Sequence, residues 1–466
     1  MKNDHEIIVG LDIGTTKIAC FIGQRNDEGS VTVLGYGKTE SKGVERGTVA
    51  NYIDASKSIK KAVDIASDKA GIDVDEVYVG VAGQHIRSRQ NVGSVMLPNG
   101  KNYVDQEDID KLINDQRRMM MGPGEEIIHV FPQTFYADGE ELSQNINPIG
   151  VACKELKAKF HIVSGLTRNL ILIRESVRAA GYKIKGVVLE PIASSYAILD
   201  DTDRTAGTAI VDIGGGTTDI ALFFEGIIRH TSVIPLAGNV ITNDIKTGCK
   251  VLKNHAEALK TKFGCCLPET VNENDIISIP GLHYQPPIEI GMKTLACIIK
   301  DRTHQILEMV NYEITESGYA QELIGGIVLT GGGSKLKSIK ELTEFTTSIP
   351  ARVGLPNTHL AKDTPKEIID PMYSTGIGLL LYGIEESEME ERRRNGEIVE
   401  EEEPIANPNE ILGKPSGAPV ETPVSDPEPG KKKHEAKDSK GKNPFKSVSS
   451  WLTKIFTEEN VDEDDL

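Results

Sequence analysis

Apolar and polar positions along the chain fall into a recurring theme: a short apolar run ends at an acidic residue, and a glycine-rich or hydroxyl-rich turn follows. Residues 7 to 22, IIVGLDIGTTKIACFI, predict a strand, the turn Asp12-Ile13-Gly14-Thr15-Thr16-Lys17 and a second strand. Residues 208 to 222, TAIVDIGGGTTDIAL, repeat the theme about two hundred positions later, with three glycines in the turn and Asp219 before the second apolar run. Such an echo suggests two related half-structures facing one ligand. Between the copies, Ile53, Ile59, Ala62, Val63 and Ala66 recur at helical spacing and predict a helix from Asn51 to Ala70, stopped by Gly71. A strand from Asp75 to Ala82, a helix from Thr167 to Ala180 and a strand from Gly186 to Leu189 follow. That last strand ends at Glu190-Pro191 and leads into a helix from Ile192 to Leu199.

After the second hairpin, the turn in IPLAGNVITNDI (234–245) feeds a helix, and VLKNHAEALKTKFG (251–264) predicts another. Met292 to Ser317 reads as a long helix, and Gly325 to Thr330 as a buried strand. A third glycine turn, Gly331-Gly332-Gly333-Ser334-Lys335, then precedes a predicted helix from Leu336 to Phe345. Tyr373 to Tyr382 predicts a last apolar helix. Strands alternating with helices argue an α/β chain. Residues 84 to 163 interrupt it. There, short alternating runs (Gly93–Leu97, Ile127–Phe131, Leu156–Val163) flank one predicted helix, Gln106 to Met121, and the segment reads as a small α+β insertion. His129 and His161 sit in its strand patterns without acidic or cysteine neighbours and read as structural, while Arg117, Arg118 and Met119 to Met121 read as a helix end with one face exposed.

The turns carry the candidate chemistry. Glycines let backbone N–H groups approach a polyphosphate, threonine hydroxyls add donors, and an aspartate at a strand end can hold hydrated Mg²⁺. Gly14, Thr15, Thr16 and Lys17 form one such set, and Gly214, Gly215, Gly216, Thr217 and Thr218 a second. Beside Gly14 and two threonines, phosphate contact outweighs a solvated turn as the role of Lys17. The third turn suits close approach of backbone to a base or ribose, with a helix N-terminus lent to phosphate. It is not G-x-G-x-x-G, which disfavours a dinucleotide fold. Glu190 is placed either to orient a water near a γ-phosphate or merely to occupy a surface turn before proline. Glu257 and Lys260, three apart on a helix, read on spacing alone as a solvated ion pair.

Composition sharpens this picture in three places. The formal charge of -18 is concentrated near the end: residues 385–403 hold ten Glu against three Arg, and six further acids lie in 458–465, so thirteen of the eighteen excess negatives lie there. The body is only mildly acidic, and no nucleic-acid groove is expected. Six cysteines at 20, 153, 249, 265, 266 and 297, without a C-x-x-C pair, argue against a disulfide framework or zinc site and for a reducing cytosol. The start, MKNDHEIIVG, enters a strand pattern at once, so no secretory signal is expected, and no apolar run reaches spanning length.

From 385 to 444 the chain turns to Glu, Pro, Gly, Ser and Lys without periodicity, which predicts a disordered linker with an r.m.s. span of roughly 45 Å. Residues 445–457 then place Phe445, Val448, Trp451, Leu452, Ile455 and Phe456 on one helical face about 140° wide, opposite Ser, Thr and Lys. An amphipathic helix after a long linker suits a lipid surface. Gross burial on the order of 10 kcal/mol, reduced by ordering costs, gives weak single-tail binding that an array of tails would strengthen.

In this order and spacing, the three turns with Glu190-Pro191 resemble those of the actin, Hsp70 and sugar-kinase ATPase superfamily. Within it, EEIIHVFPQTFYADG (125–139), NPIGV (147–151), PLAGNVITNDI (235–245) and AEALKTKFG (256–264) resemble the FtsA family of bacterial cell-division proteins over residues 6–384. The resemblance implies an actin-like (ribonuclease H-like) two-lobed ATPase fold. Subdomain 1A would take 6–83, 164–203 and 371–384; an SHS2-type subdomain 1C 84–163; subdomain 2A 204–240 and 321–370; and subdomain 2B 241–320. It implies ATP and Mg²⁺, with Asp12 and Asp212 near the metal, Glu257 and Lys260 near ribose and base, and Glu190 orienting water for an ATPase that is slow at most.

The resemblance also implies actin-like self-association, binding of the FtsZ C-terminal tail to 241–320 with Arg302 as a basic contact, other division partners, and a peripheral place on the cytoplasmic face of the inner membrane at the division site. A pilus-assembly actin homologue (PilM-like) and a small-molecule kinase on the same fold are the rival readings.

Overall fold

The computed structural model describes residues 6–143, 147–281 and 286–394. The linker from 395 on and the amphipathic segment with Phe445, Val448, Trp451, Leu452, Ile455 and Phe456 lie outside the described residues.

The two hairpins nucleate two sheets of the same topology. In the first lobe Ile8–Ile13 pairs antiparallel with Lys17–Arg25, which pairs antiparallel with Val31–Glu40. On its other side Ile8–Ile13 runs parallel to Glu76–Val81, which runs parallel to Lys183–Leu189. The second lobe repeats this arrangement. Thr208–Ile213 pairs antiparallel with Thr218–Phe224 and that strand with Ile227–Ile234, while Gly326–Thr330 and Ala351–Val353 extend the sheet in parallel. The repeated strand–turn–strand signature is thus the central pair of each five-stranded sheet. Both central strands are buried throughout, as continuous apolar runs require when helices cover both faces.

The helices follow from their stripes and caps. Tyr52–Ala70 starts where the Asn51 side chain accepts from the N–H groups of Ile53 and Asp54, ends at Gly71 in the left-handed region, and buries Ala55, Ile59, Ala62, Val63 and Ala66. The last helix runs from Ser374 to Arg394, past the point where composition predicts a linker. Its first turns lie so close to Pro191–Ile198 that a Cβ on Gly378 would stand 1.7 Å from the Ala193 carbonyl oxygen. Its acidic end continues because it is anchored to the body: Glu388 pairs with Arg25, the Ser387 hydroxyl donates to Glu6, and Ile384 is buried. Glu388 and Glu390 also stand four residues ahead of Arg392 and Arg394, the favourable helical order.

The insertion forms a four-stranded sheet in the order 87–96, 155–166, 125–137, 140–141, with the helix Gln106–Arg117 packed on it. Its core is Val95, Leu97, Val104, Ile109, Leu112, Leu156, Phe160 and Ile162. The strands are longer than the apolar alternation predicts, because the exposed polar residues Arg87 to Gln90 still pair backbone with 161–164. The helix stops at Arg117, four residues short of Met121. Met119 packs beside the core and Met120 is exposed.

A second departure comes after the third glycine turn. No helix begins at Leu336; Gly332–Lys335 is a single 3₁₀ turn, Ser338 takes φ 62°, and the helix is Ile339–Thr347. The turn therefore offers its own backbone to the cleft and not an α-helix N-terminus. Among the described residues no helix is long and apolar enough to cross a membrane.

Candidate functional site

The three turns meet. A cavity of about 310 Å³ between the lobes is lined by Asp12 and Gly14 to Lys17 from the first, Asp212 and Gly214 to Thr217 from the second, and Gly331 to Gly333 with Lys335 from the third. Contact between the turns explains their glycines. A Cβ on Gly215 would stand 2.0 Å from Thr16 Oγ1, and one on Gly216 2.4 Å from Thr15 Oγ1, so hydroxyl and glycine interlock across the two lobes. Gly331, at φ 79° and ψ 173°, lies against Asp212, where a Cβ would be 2.2 Å from Oδ1. The second turn is further held by the next helix, whose Gly238 and Asn239 N–H groups donate to the carbonyl oxygens of Gly214 and Gly215 at 3.1 and 2.8 Å.

Four carboxylates, Asp12, Glu190, Asp212 and Asp219, line this cavity with Lys17 among them. Lys17 Nζ donates to Asp12 Oδ2 at 2.6 Å. Burial alone would depress the Lys17 ammonium, but the Asp12 charge and hydrogen bond, with the fields of Asp212 and Glu190, hold its pKa above the ordinary value. Asp212 is 6% exposed and accepts from Ser194 Oγ at 2.6 Å and Thr375 Oγ1 at 3.1 Å, both on Oδ2. Burial raises its pKa against those two bonds. Burial, then the charges of Asp219, Asp12 and Asp212, push the Glu190 carboxyl well above its usual range, with Lys17 opposing. Asp219 is raised in the same way by burial and by Asp212 and Asp12, against a 2.7 Å hydrogen bond from Thr217.

The other Asp219 oxygen, Oδ1, is buried without a hydrogen-bond partner. One ammonium facing four acids, three of them with raised pKa, and an orphaned carboxylate oxygen are the electrostatics of a site that takes cationic charge. Among the described residues no three metal-ligating side chains converge on one point. The arrangement thus fits Mg²⁺ held through waters and phosphate oxygens with one or two carboxylates, and not an all-protein cage.

At the far end Glu257 and Lys260 form the expected ion pair, with the Glu257 side chain 41% exposed and the lysine end drawn into the protein. Lys260 Nζ, with a side chain 12% exposed, lies 2.9 Å from Glu257 Oε2 and donates to Gly238 O at 2.9 Å and Thr242 Oγ1 at 2.8 Å. Thr242 in turn donates to Glu257. Both charged residues line the cavity with Ile241, Leu336 and Met372, so this end combines apolar walls with a fixed polar pair, as a base and ribose would need.

Two of the candidate residues turn away. The Thr218 hydroxyl donates to Leu236 O, tying the turn to the segment after the next strand, and the Ser334 hydroxyl donates to Gly331 O within its own turn, so neither faces the cavity. Lys335 lines the cavity while paired with Asp370. Arg302 is not part of the cavity lining; its guanidinium grips Asp244 through Nε and Nη2, at 2.5 and 3.1 Å, on a part-exposed face of 241–320.

Residues missed in the sequence fall into two kinds. Asp219 carried a signal, an acid in a hydroxyl-rich turn entering an apolar strand. Gly47, Ser194, Met372 and Thr375 carried none, since only folding brings them to the cleft.

The chain matches the family model described as Cell division protein FtsA over residues 209–378, and that described as SHS2 domain inserted in FTSA over 83–164. It is 35% identical over 380 residues to Cell division protein FtsA of Pseudomonas aeruginosa, covering 82% of this chain and 90% of that one. It is 33% identical over 405 residues to the protein of that name from Escherichia coli K12, covering 84% and 94%. Among solved structures it is similar to the PilM-PilN type IV pilus biogenesis complex, with a TM-score of 0.59 at 14% identity over 81% of this chain and 98% of that one. At that identity the likeness establishes the actin-like architecture and nothing about activity.

Proposed function

The chain belongs to the cell division protein FtsA family, and from that premise we propose that it is an ATP-binding, self-associating adaptor that ties the division filament to the membrane. The observation that carries the nucleotide reading is the convergence of three glycine turns on one cavity, where Lys17 stands among Asp12, Glu190, Asp212 and Asp219 and the Glu257–Lys260 pair also lines the wall. Lys17 and the backbone of the turns 14–17 and 214–217 would hold the phosphates. Asp12 and Asp212 would face Mg²⁺, and the Glu257–Lys260 pair the ribose and base.

Bound Mg²⁺ would supply the positive charge that this cluster of acids lacks. Beside it Glu190 would be a carboxylate able to orient a water, and we read the chain as at most a slow ATPase. ATP would favour the closed body, and assembly of closed bodies would array their tails. In this reading residues 241–320, with the Arg302–Asp244 pair on their surface, receive the FtsZ C-terminal tail. The segment 445–457 lies on the cytoplasmic face of the membrane at the division site, and further division proteins join the assembly. Architecture resembling the pilus complex does not favour the PilM-like reading, because the relatives at 33–35% identity over most of the chain are division proteins.

Two measurements test this. ATP titration of the full chain should show binding that strengthens with Mg²⁺ and weakens at least tenfold in Lys17→Ala; no binding at millimolar ATP would remove the nucleotide reading. Co-sedimentation with liposomes should pellet the intact chain and not a chain ending at Gly441, and more strongly with ATP. Equal pelleting would remove the tether.

A further inference from the structure

The inserted subdomain is joined covalently to the first lobe at both ends, yet its most buried polar contacts run to the second. The strand Ile227–Ile234 is the outer edge of the second sheet, paired only on its inner side. A free edge exposes unpaired backbone groups, and here the insert takes them. Gln133 Nε2 donates to the carbonyl oxygens of Ile228 and Arg229 at 2.7 and 3.0 Å, and Ser88 Oγ to that of Thr231 at 3.0 Å. The Arg229 guanidinium returns a bond to Gln133 O at 3.3 Å. His161 sits at the centre: the Gln90 amide donates to Nδ1 at 3.3 Å, which leaves Nε2–H to donate to Thr231 Oγ1 at 2.8 Å. Gln133, His161, Arg229 and Thr231 are 5%, 1%, 4% and 3% exposed.

The face toward the first lobe is built differently. Among the described residues its bonds are two hydrogen bonds, from the Leu189 N–H to His129 Nε2 at 3.1 Å and from the Thr167 N–H to Gly124 O at 2.8 Å, and a half-exposed ion pair, Arg174 with Glu126; the rest is apolar contact of Ile86, Ile128 and Phe131 with the first-lobe core. Between them lies a cavity of about 290 Å³ lined by Arg117, residues 127–131 and Tyr382. At the entry to the insert, His85 is buried with no partner on either ring nitrogen, and Gly83 holds φ 112° against the backbone of Gly47.

A buried polar network has one satisfied register, and sliding it would strand several donors and acceptors together, whereas a largely apolar face, which is non-directional, interrupted by a cavity and holding few bonds, can shift. We propose that the insert moves as one body with the second lobe, so that opening and closing of the cleft displaces it against the first lobe. The junction also reaches the site. Gly47 N–H donates to Thr15 Oγ1 at 2.9 Å, and a Cβ on Gly47 would meet both Thr217 Cγ2 and Gly83. The insert's place on the first lobe would then follow the spacing of the two phosphate turns. Only this trigger rests on the nucleotide reading.

Spin-label distance measurements on the full chain test it. Cys297→Ser, which removes the exposed cysteine, serves as background, with pairs of labels at the exposed positions Lys60→Cys (first lobe), Asp115→Cys (insert) and Lys340→Cys (second lobe). Without nucleotide, the insert-to-second-lobe distribution should be narrower than the insert-to-first-lobe one. Gln133→Leu with Thr231→Val should broaden the former alone, and Mg²⁺ with ATP should shift the latter alone. Equal or reversed widths, or a nucleotide shift confined to the insert-to-second-lobe pair, would overturn the proposal. If Mg²⁺ and ATP move no pair, the nucleotide reading loses its support while the widths still decide this one.

Discussion

Adjacent glycines in the third turn should respond to the same substitution in opposite ways. Gly331 holds φ 79° and ψ 173°, a region essentially closed to side-chain-bearing residues, which costs about 1–3 kcal/mol for a residue forced to remain there. A methyl group would also stand 2.2 Å from Asp212 Oδ1 and 2.6 Å from Ile213 O, more than an ångström inside ordinary contact. Asp212 has little room to retreat, since Ser194 and Thr375 both hold its Oδ2. Overpacking of this kind adds roughly 1–3 kcal/mol, so Gly331→Ala should destabilise the ligand-free protein by about 2–6 kcal/mol. Gly332, by contrast, has a negative φ and nothing within 4 Å of a built Cβ. Gly332→Ala should leave stability unchanged or raise it by up to about 1 kcal/mol, through the unfolded chain. Because that open space is the cavity, the same substitution should weaken ATP binding. Urea unfolding of the ligand-free chains, followed by circular dichroism and paired with ATP titration, reads both effects. Equal stabilities of the two variants would refute the assigned geometry of the turn.

Three further outcomes follow from the cleft and the core. Glu190, Asp212 and Asp219 have folded pKa values above their unfolded ones, so their contribution to stability is complete below the ordinary carboxylate range and is lost as pH rises through the raised values. The ligand-free urea midpoint should therefore carry a falling component above about pH 4, lessened by Mg²⁺ and by Asp219→Asn; a midpoint indifferent to both would count against the acid cluster. Burial lowers His85 and His161 to about 4, so they act with the opposite sign: their contribution is present above pH 6.5 and lost as pH falls toward 4. Replacing His85 by Gln should flatten the acid limb by about 1–3 kcal/mol, and an unchanged limb would contradict its burial. Ser194→Ala removes the shorter bond to Asp212 and should lower ATP affinity severalfold with Mg²⁺ present and far less with a chelator. An equal loss in both conditions would place its role in packing instead.

The sequence by itself determined the parts that repeat and the parts that alternate. The D-I-G turns marked the central hairpin of each lobe because tight, glycine-lined turns between apolar strands leave few conformations open, and local stereochemistry is written in local residues. The change of rhythm at 84–163 likewise marked the insertion. Composition misled where an acidic run gains its stability from a distance: Glu385 to Arg394 reads as linker until Arg25 and Glu6 are brought beside it. Spacing was silent on whether Glu257 and Lys260 face solvent or a cleft, since helical separation is the same in both cases.

Only the tertiary structure decided that Thr218 and Ser334 face inward, that Asp219 joins the acids, and that Ser194 and Thr375 orient Asp212. It alone pinned the insert to the edge of the opposite lobe. These are contacts between residues far apart in the chain, fixed by which buried donors and acceptors can all be satisfied at once, a condition that no short stretch of sequence contains.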